Sequence, residues 1–73
     1  MTHKDFLQAV GMEIKICRIR KKLSITDLSN LTGLNSTTLT KIETGKSSTS
    51  VSSLKRIADA LGTNVKVFFT FIE

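Results

Sequence analysis

The chain has 73 residues, with 11 Lys and Arg against 6 Asp and Glu and a formal net charge of +5. That length predicts one domain with a thin core, because a chain of this size buries only about 60% of its unfolded surface. The basic excess favours a polyanion as partner, although many small domains carry such a charge for solubility alone.

The first residues, MTHKDF, lack the apolar run of a signal peptide, and no stretch approaches the length of a membrane span. A single cysteine, Cys17, excludes an intrachain disulfide and lies on the apolar side of a helical pattern. The expectation is a cytoplasmic protein with no membrane association.

From Asp5 to Lys22 the pattern is helical. Phe6, Val10, Ile14 and Cys17 form one stripe, and Met12, Ile16 and Ile19, with Ala9, form a second roughly opposite. Asp5 at the start and Arg20, Lys21 and Lys22 at the end suit the helix dipole. A helix apolar on two sides needs two surfaces to pack against, of which its own core supplies one.

Two short helices follow, over 25–32 and 36–44, joined by a tight turn at Gly33. Ser24 caps the first, which turns Leu28 and Leu31 inward; Asn35 caps the second, and Gly45 stands just past its end. Winding the second helix at about 100° per residue puts Leu39 and Ile42 on one side and Ser36, Thr37, Thr40, Lys41 and Thr44 on the other. Solvated helix faces ordinarily mix both signs of charge, and Thr is a poor helix former. An outer face of hydroxyls and one Lys, with no carboxylate, suits a polyanion better than water.

A polar linker, 45–50, leads to a helix over 51–61 that Ser50 caps and Gly62 closes, with Val51, Leu54, Ile57, Ala58 and Leu61 facing inward. The tail then changes period. Val65, Val67, Phe69 and Phe71 alternate with Lys66, Phe68, Thr70 and Ile72, which predicts a β-strand over 64–72. A lone strand is unstable, so the tail is expected to pair with its copy across a homodimer, in an antiparallel ribbon. The dimer interface would comprise Val65, Val67, Phe68, Phe69, Phe71 and Ile72, resting partly on Met12, Ile16 and Ile19. The alternative is a tail that folds back on its own core.

The spacing of Leu28, Ser29, Gly33, Leu34, Leu39 and Ile42 resembles the helix-turn-helix of the lambda-repressor/Cro-like (XRE-type) DNA-binding family. Glu43, Gly45 and Lys46 after the motif, and Arg18 near the end of the preceding helix, extend the resemblance over roughly residues 11 to 62. Ile25 stands where the family usually has Gln, and Thr49 where it often has Pro. The resemblance implies an all-α fold: a four-helix lambda-repressor-like domain, here with the C-terminal β-strand added.

It also implies a dimeric regulator, with repression as its expected action, that reads double-stranded DNA through Ser36, Thr37, Thr40 and Lys41 in the major groove. Phosphates would be met by backbone N–H groups near Ser24, Thr26 and Asn35 and by Thr38, Thr44, Lys46 and Ser47. Arg18 and Glu43 look like the family's structural ion pair. Antitoxins of toxin–antitoxin pairs are similar in fold and carry a comparable strand, so the alternative partner is a toxin protein.

No enzyme is expected: carboxylates are scattered, and one His and one Cys make neither a catalytic pair nor a metal site. Gly45-Lys46-Ser47-Ser48 echoes a phosphate loop, but position 40 is Thr rather than Gly and no strand precedes it. No cofactor is implied.

Overall fold

A computed structural model of the protein describes residues 1–72. Four α-helices run in the order α1 (His3–Arg20), α2 (Ile25–Thr32), α3 (Ser36–Glu43) and α4 (Val51–Ala60), followed by a 3₁₀ segment at Val65–Phe69. Helix α1 starts two residues earlier than its apolar pattern predicts, because the Thr2 hydroxyl caps it by accepting from the Asp5 N–H at 3.1 Å.

Ile14 of α1, Leu28 of α2, Leu39 of α3, Ile57 of α4 and Phe68 of the tail are wholly buried and form the centre of one core. Two residues expected inside are outside. Leu31 is 59% exposed, since α2 turns Leu28 and Thr32 inward at a spacing of four. Val51 is 79% exposed because, as the first residue of α4, it projects beyond the core edge.

The predicted strand over 64–72 is not formed, and no strand occurs among the described residues. Phe68 is drawn completely into the core while Phe69 and Phe71 also pack against it, whereas an alternating strand would send Phe68 to one face and Phe69 and Phe71 in opposite directions from each neighbour in turn, Phe69 and Phe71 sharing the other face. Phe69 and Phe71 pack on Phe6 of α1, with ring centroids 6.2 and 5.6 Å apart and the second pair edge-to-face. Asn64 caps the segment by accepting from the Lys66 N–H at 3.0 Å. One ring wholly buried and two partly buried against the core and Phe6 outweigh the period-two pattern, and the tail folds back on its own chain.

The intersubunit ribbon drawn from Val65, Val67, Phe68, Phe69, Phe71 and Ile72 is therefore corrected: Phe68 belongs to the core, and Val65, Phe69 and Phe71 pack against it. Nor does the tail lie along the second stripe of α1, where Met12 and Ile19 are 51% and 55% exposed.

Three helices end with the same hydrogen-bonded closure. The Leu23 N–H reaches Arg18 O at 3.1 Å, Lys46 reaches Lys41 O at 2.9 Å, and Thr63 reaches Ala58 O at 2.9 Å. The pivot of each closure needs positive φ. Gly45 and Gly62 supply it at α3 and α4, whereas α1 turns on Lys22 at φ 58°.

Helices α1 and α3 meet at Gly11. A Cβ there would lie 2.6 Å from the Glu43 carbonyl oxygen and closer still to that of Ile42, both backbone atoms that cannot swing aside. Gly11→Ala is expected to destabilise the fold by about 2–3 kcal/mol, as overpacking does, and equilibrium urea denaturation measures it.

Candidate nucleic-acid interface

Two short helices of eight residues each are marginal alone and depend on what holds their ends. At α2 a reciprocal capping box forms: Ser24 Oγ accepts from the Asp27 N–H at 3.0 Å, and Asp27 Oδ2 accepts from the Ser24 N–H at 2.9 Å. These bonds hold the Asp27 carboxyl below its ordinary value of 3.8, the backbone bond from Ser24 first and its hydroxyl second.

The turn between the helices passes through Gly33 at φ 75° and is stapled by two hydroxyls. Buried Thr32 donates from Oγ1 to Leu28 O at 2.8 Å and accepts from the Leu34 N–H at 3.2 Å, while Ser29 Oγ donates to Leu34 O at 2.6 Å. Sequence reasoning placed Ser29 only as a small residue and missed Thr32. The available signal was a Thr one residue before the turn Gly, where a hydroxyl can bond backward and forward at once.

At α3, Asn35 Oδ1 accepts from the Thr37 N–H at 2.8 Å. Leu39, Ile42 and Glu43 are buried, and Ser36, Thr37, Thr38, Thr40, Lys41 and Thr44 are all exposed. The carboxylate of this helix thus points inward and its ammonium outward. Lys41 and Lys46 make no ion pair among the described residues. Ser24, Thr26 and Lys46 are exposed as well, and Ser47 is half-buried.

Glu43 is reached by Arg18 of α1 in a two-pronged contact: Nε donates to Oε2 at 2.7 Å and Nη2 to Oε1 at 3.0 Å. Arg18 Nη1 also donates to Leu23 O at 2.8 Å, so one guanidinium links α1, the loop before α2 and α3. The Glu43 hydrogen bond raises the guanidinium pKa above its ordinary value against a smaller opposing effect of burial, so Arg18 remains a cation. Both side chains are largely covered, at 12% and 5% exposure.

Cys17 is half-buried, and burial pushes its thiol pKa up, which keeps it protonated and unreactive at neutral pH. Among the described residues no cluster of His, Cys, Asp or Glu is suited to a metal, and no helix is long and apolar enough to cross a membrane.

The fold is shared with known proteins. The helix-turn-helix family HTH_3 matches residues 14–68, and the chain belongs to it. A crystallised HTH_3 family transcriptional regulator from Vibrio cholerae superposes with a TM-score of 0.88 at 30% identity over 97% of this chain. This chain spans 40% of that protein's length. The restriction-modification controller protein C.AhdI from Aeromonas hydrophila superposes with a TM-score of 0.84 at 27% identity, covering 86% of this chain and 96% of its own. No curated protein sequence gives a significant match.

Two outcomes are expected from the bonds that hold this face. Glu43→Ala leaves the Arg18 cation without its partner and should lower stability by about 3 kcal/mol, read by thermal or urea denaturation. The capping box should make the fold acid-sensitive: with the Asp27 pKa depressed on folding, its contribution is present above pH 3.8 and is lost as pH falls through the lower native value. Asp27→Asn should flatten the stability-versus-pH curve in that acid window, in denaturant titrations at successive pH values.

Proposed function

We propose that this chain is a transcriptional regulator, most simply a repressor, that lays α3 in the major groove of double-stranded DNA. The observation that carries the reading is the division of α3: one carboxylate turned inward, and hydroxyls turned outward with one ammonium that has no ion-pair partner among the described residues. B-DNA's major groove accepts one α-helix and offers base-edge acceptors, donors and thymine methyls. The Lys41 ammonium suits the O6 and N7 acceptors of guanine, and Ser36, Thr37 and Thr40 stand beside it on the helix. Membership of the helix-turn-helix family and likeness to a transcriptional regulator and a controller protein support the same reading.

Phosphate contacts are assigned to the first turns of α2 and α3. The Ile25 and Thr26 N–H groups have no partner among the described residues, and the same holds for Ser36 and Thr38. Such groups at a helix start favour an anion. Thr26, Thr38, Thr44, Lys46 and Ser47 add side chains to these positions, with Ser24 and Asn35 holding the helix starts. Arg18 and Glu43 act through orientation, since they fix the angle at which α3 leaves the domain.

An eight-residue helix reads only a few base pairs, so two copies on one site are the natural working unit. Exposed Met12 and Ile19, with half-buried Ile16 between them, give α1 an apolar strip for a second copy to cover. A two-fold dimer would place its recognition helices about 34 Å apart on an imperfect palindrome. The strand that prompted comparison with antitoxins does not form among the described residues, which leaves the exposed strip on α1 as the surface a toxin would use in that alternative reading.

The test is selection of bound sequences from random duplex DNA, followed by footprinting. A palindromic footprint with half-sites about one turn apart is expected, with affinity falling steeply as salt rises; a single unpaired half-site would remove the dimer. Lys41→Ala should weaken binding to the selected site about tenfold or more, as loss of a base contact does, at nearly unchanged melting temperature. Undiminished binding by that variant would show that α3 does not face the bases.

A further inference from the structure

Thr40 lies in the middle of the outward face of α3, exposed, yet its hydroxyl proton is already engaged. Oγ1 donates to the Ser36 carbonyl oxygen one turn back, at 3.0 Å. The same bond recurs at Thr44, whose Oγ1 donates to Thr40 O at 2.8 Å. Ser36 and Thr37 differ: their hydroxyls make no hydrogen bond among the described residues and remain free to donate or accept.

A hydroxyl has one proton. With that proton held by Ser36 O, Thr40 can offer a base edge only oxygen lone pairs and its γ-methyl. The bond ties Oγ1 to the helix's own backbone and leaves the γ-methyl as the part of this exposed side chain with no polar tie. Entry into a groove removes competing water and strengthens the intrahelical bond rather than loosening it. Guanine presents two acceptors in the major groove, N7 and O6, and thymine presents a C5-methyl beside O4. Lone pairs against acceptors repel, whereas methyl against methyl excludes water.

We propose that Thr40 is a specificity-determining residue of this chain, which selects a thymine by contact between its γ-methyl and the thymine methyl and rejects guanine at that position. Lys41, its neighbour on the helix, has the opposite preference, so the two together encode adjacent, chemically distinct base choices. This rests on the reading of α3 as the major-groove helix. Acceptance by the Oγ1 lone pair of an amino hydrogen from adenine or cytosine is the competing readout, and it separates cleanly by substitution.

The experiment compares wild type, Thr40→Ser and Thr40→Val in selection from random duplexes. Titration by fluorescence anisotropy follows, on the selected site and on the same site with the critical thymine replaced by uracil. Both substitutions are at an exposed position, and unchanged circular dichroism and melting temperature confirm that each variant is folded. The expected result is a thymine preference that Thr40→Ser abolishes and Thr40→Val retains.

Uracil should weaken wild type about fourfold, the effect of exposing one buried methyl, and should not further weaken Thr40→Ser, since the contact is then already gone. A preference unmoved by Thr40→Ser overturns the inference, as does one lost in Thr40→Val or a guanine selected at that position. In those cases a defined binding site still stands and with it the DNA-binding reading. Selection of no sequence at all overturns both.

Discussion

The bidentate contact between Arg18 and Glu43 is the constraint on which the exposed face depends. It joins the end of α1 to the end of α3, and the third arm of the guanidinium holds the loop that leads into α2. Taking both charges out of water largely offsets their attraction, so such a pair contributes more to geometry than to net stability. Its value here is that a planar fork accepts one orientation of the carboxylate. Gly11 makes the arrangement possible, since α1 and α3 approach until backbone meets backbone. A helix of eight residues, too short to be stable by itself, thereby acquires a fixed direction.

Hydroxyl groups do two different jobs in the motif. Inside, Thr32 and Ser29 satisfy the backbone of the turn around Gly33 and close the angle between α2 and α3. Outside, Ser36, Thr37 and Thr38 keep their hydroxyls free, and Thr40 and Thr44 bond back to their own helix. The outer face is thus not a uniform polar surface. Donors are concentrated at its beginning and at Lys41, and methyl groups lie between and beyond them. On the proposed reading of α3, that pattern is what would distinguish base edges that differ in donors, acceptors and methyls.

Two local features run against simple propensity. Lys22 takes a left-handed conformation at the end of α1, where α3 and α4 use Gly, and so accepts a strained backbone to complete the closure that feeds α2. The tail has the alternation of a strand but folds as a 3₁₀ segment. The competing energies decide that case. A strand with no partner leaves its ladder groups unpaired, whereas folding back buries Phe68 and packs Phe69 and Phe71 against Phe6. Burial inside one chain requires no second molecule.

Local chemistry made much of this protein legible from its residues. Ser24, Asn35 and Ser50 as caps, Gly33 in the turn, the inward Leu28, Leu39 and Ile42, and the four helices could all be read because caps, turns and 3.6-residue periodicity act within a few residues of one another. The outward set on α3 followed from the same periodicity. Tertiary structure alone decided what depended on distant partners: the exposure of Leu31 and Val51 and the fate of the tail. An alternating pattern states which side chains can share a face but not which surface will cover them. For Phe68 that surface was assembled from helices remote in sequence, and their combined pull on one large ring outweighed the period written in its neighbours.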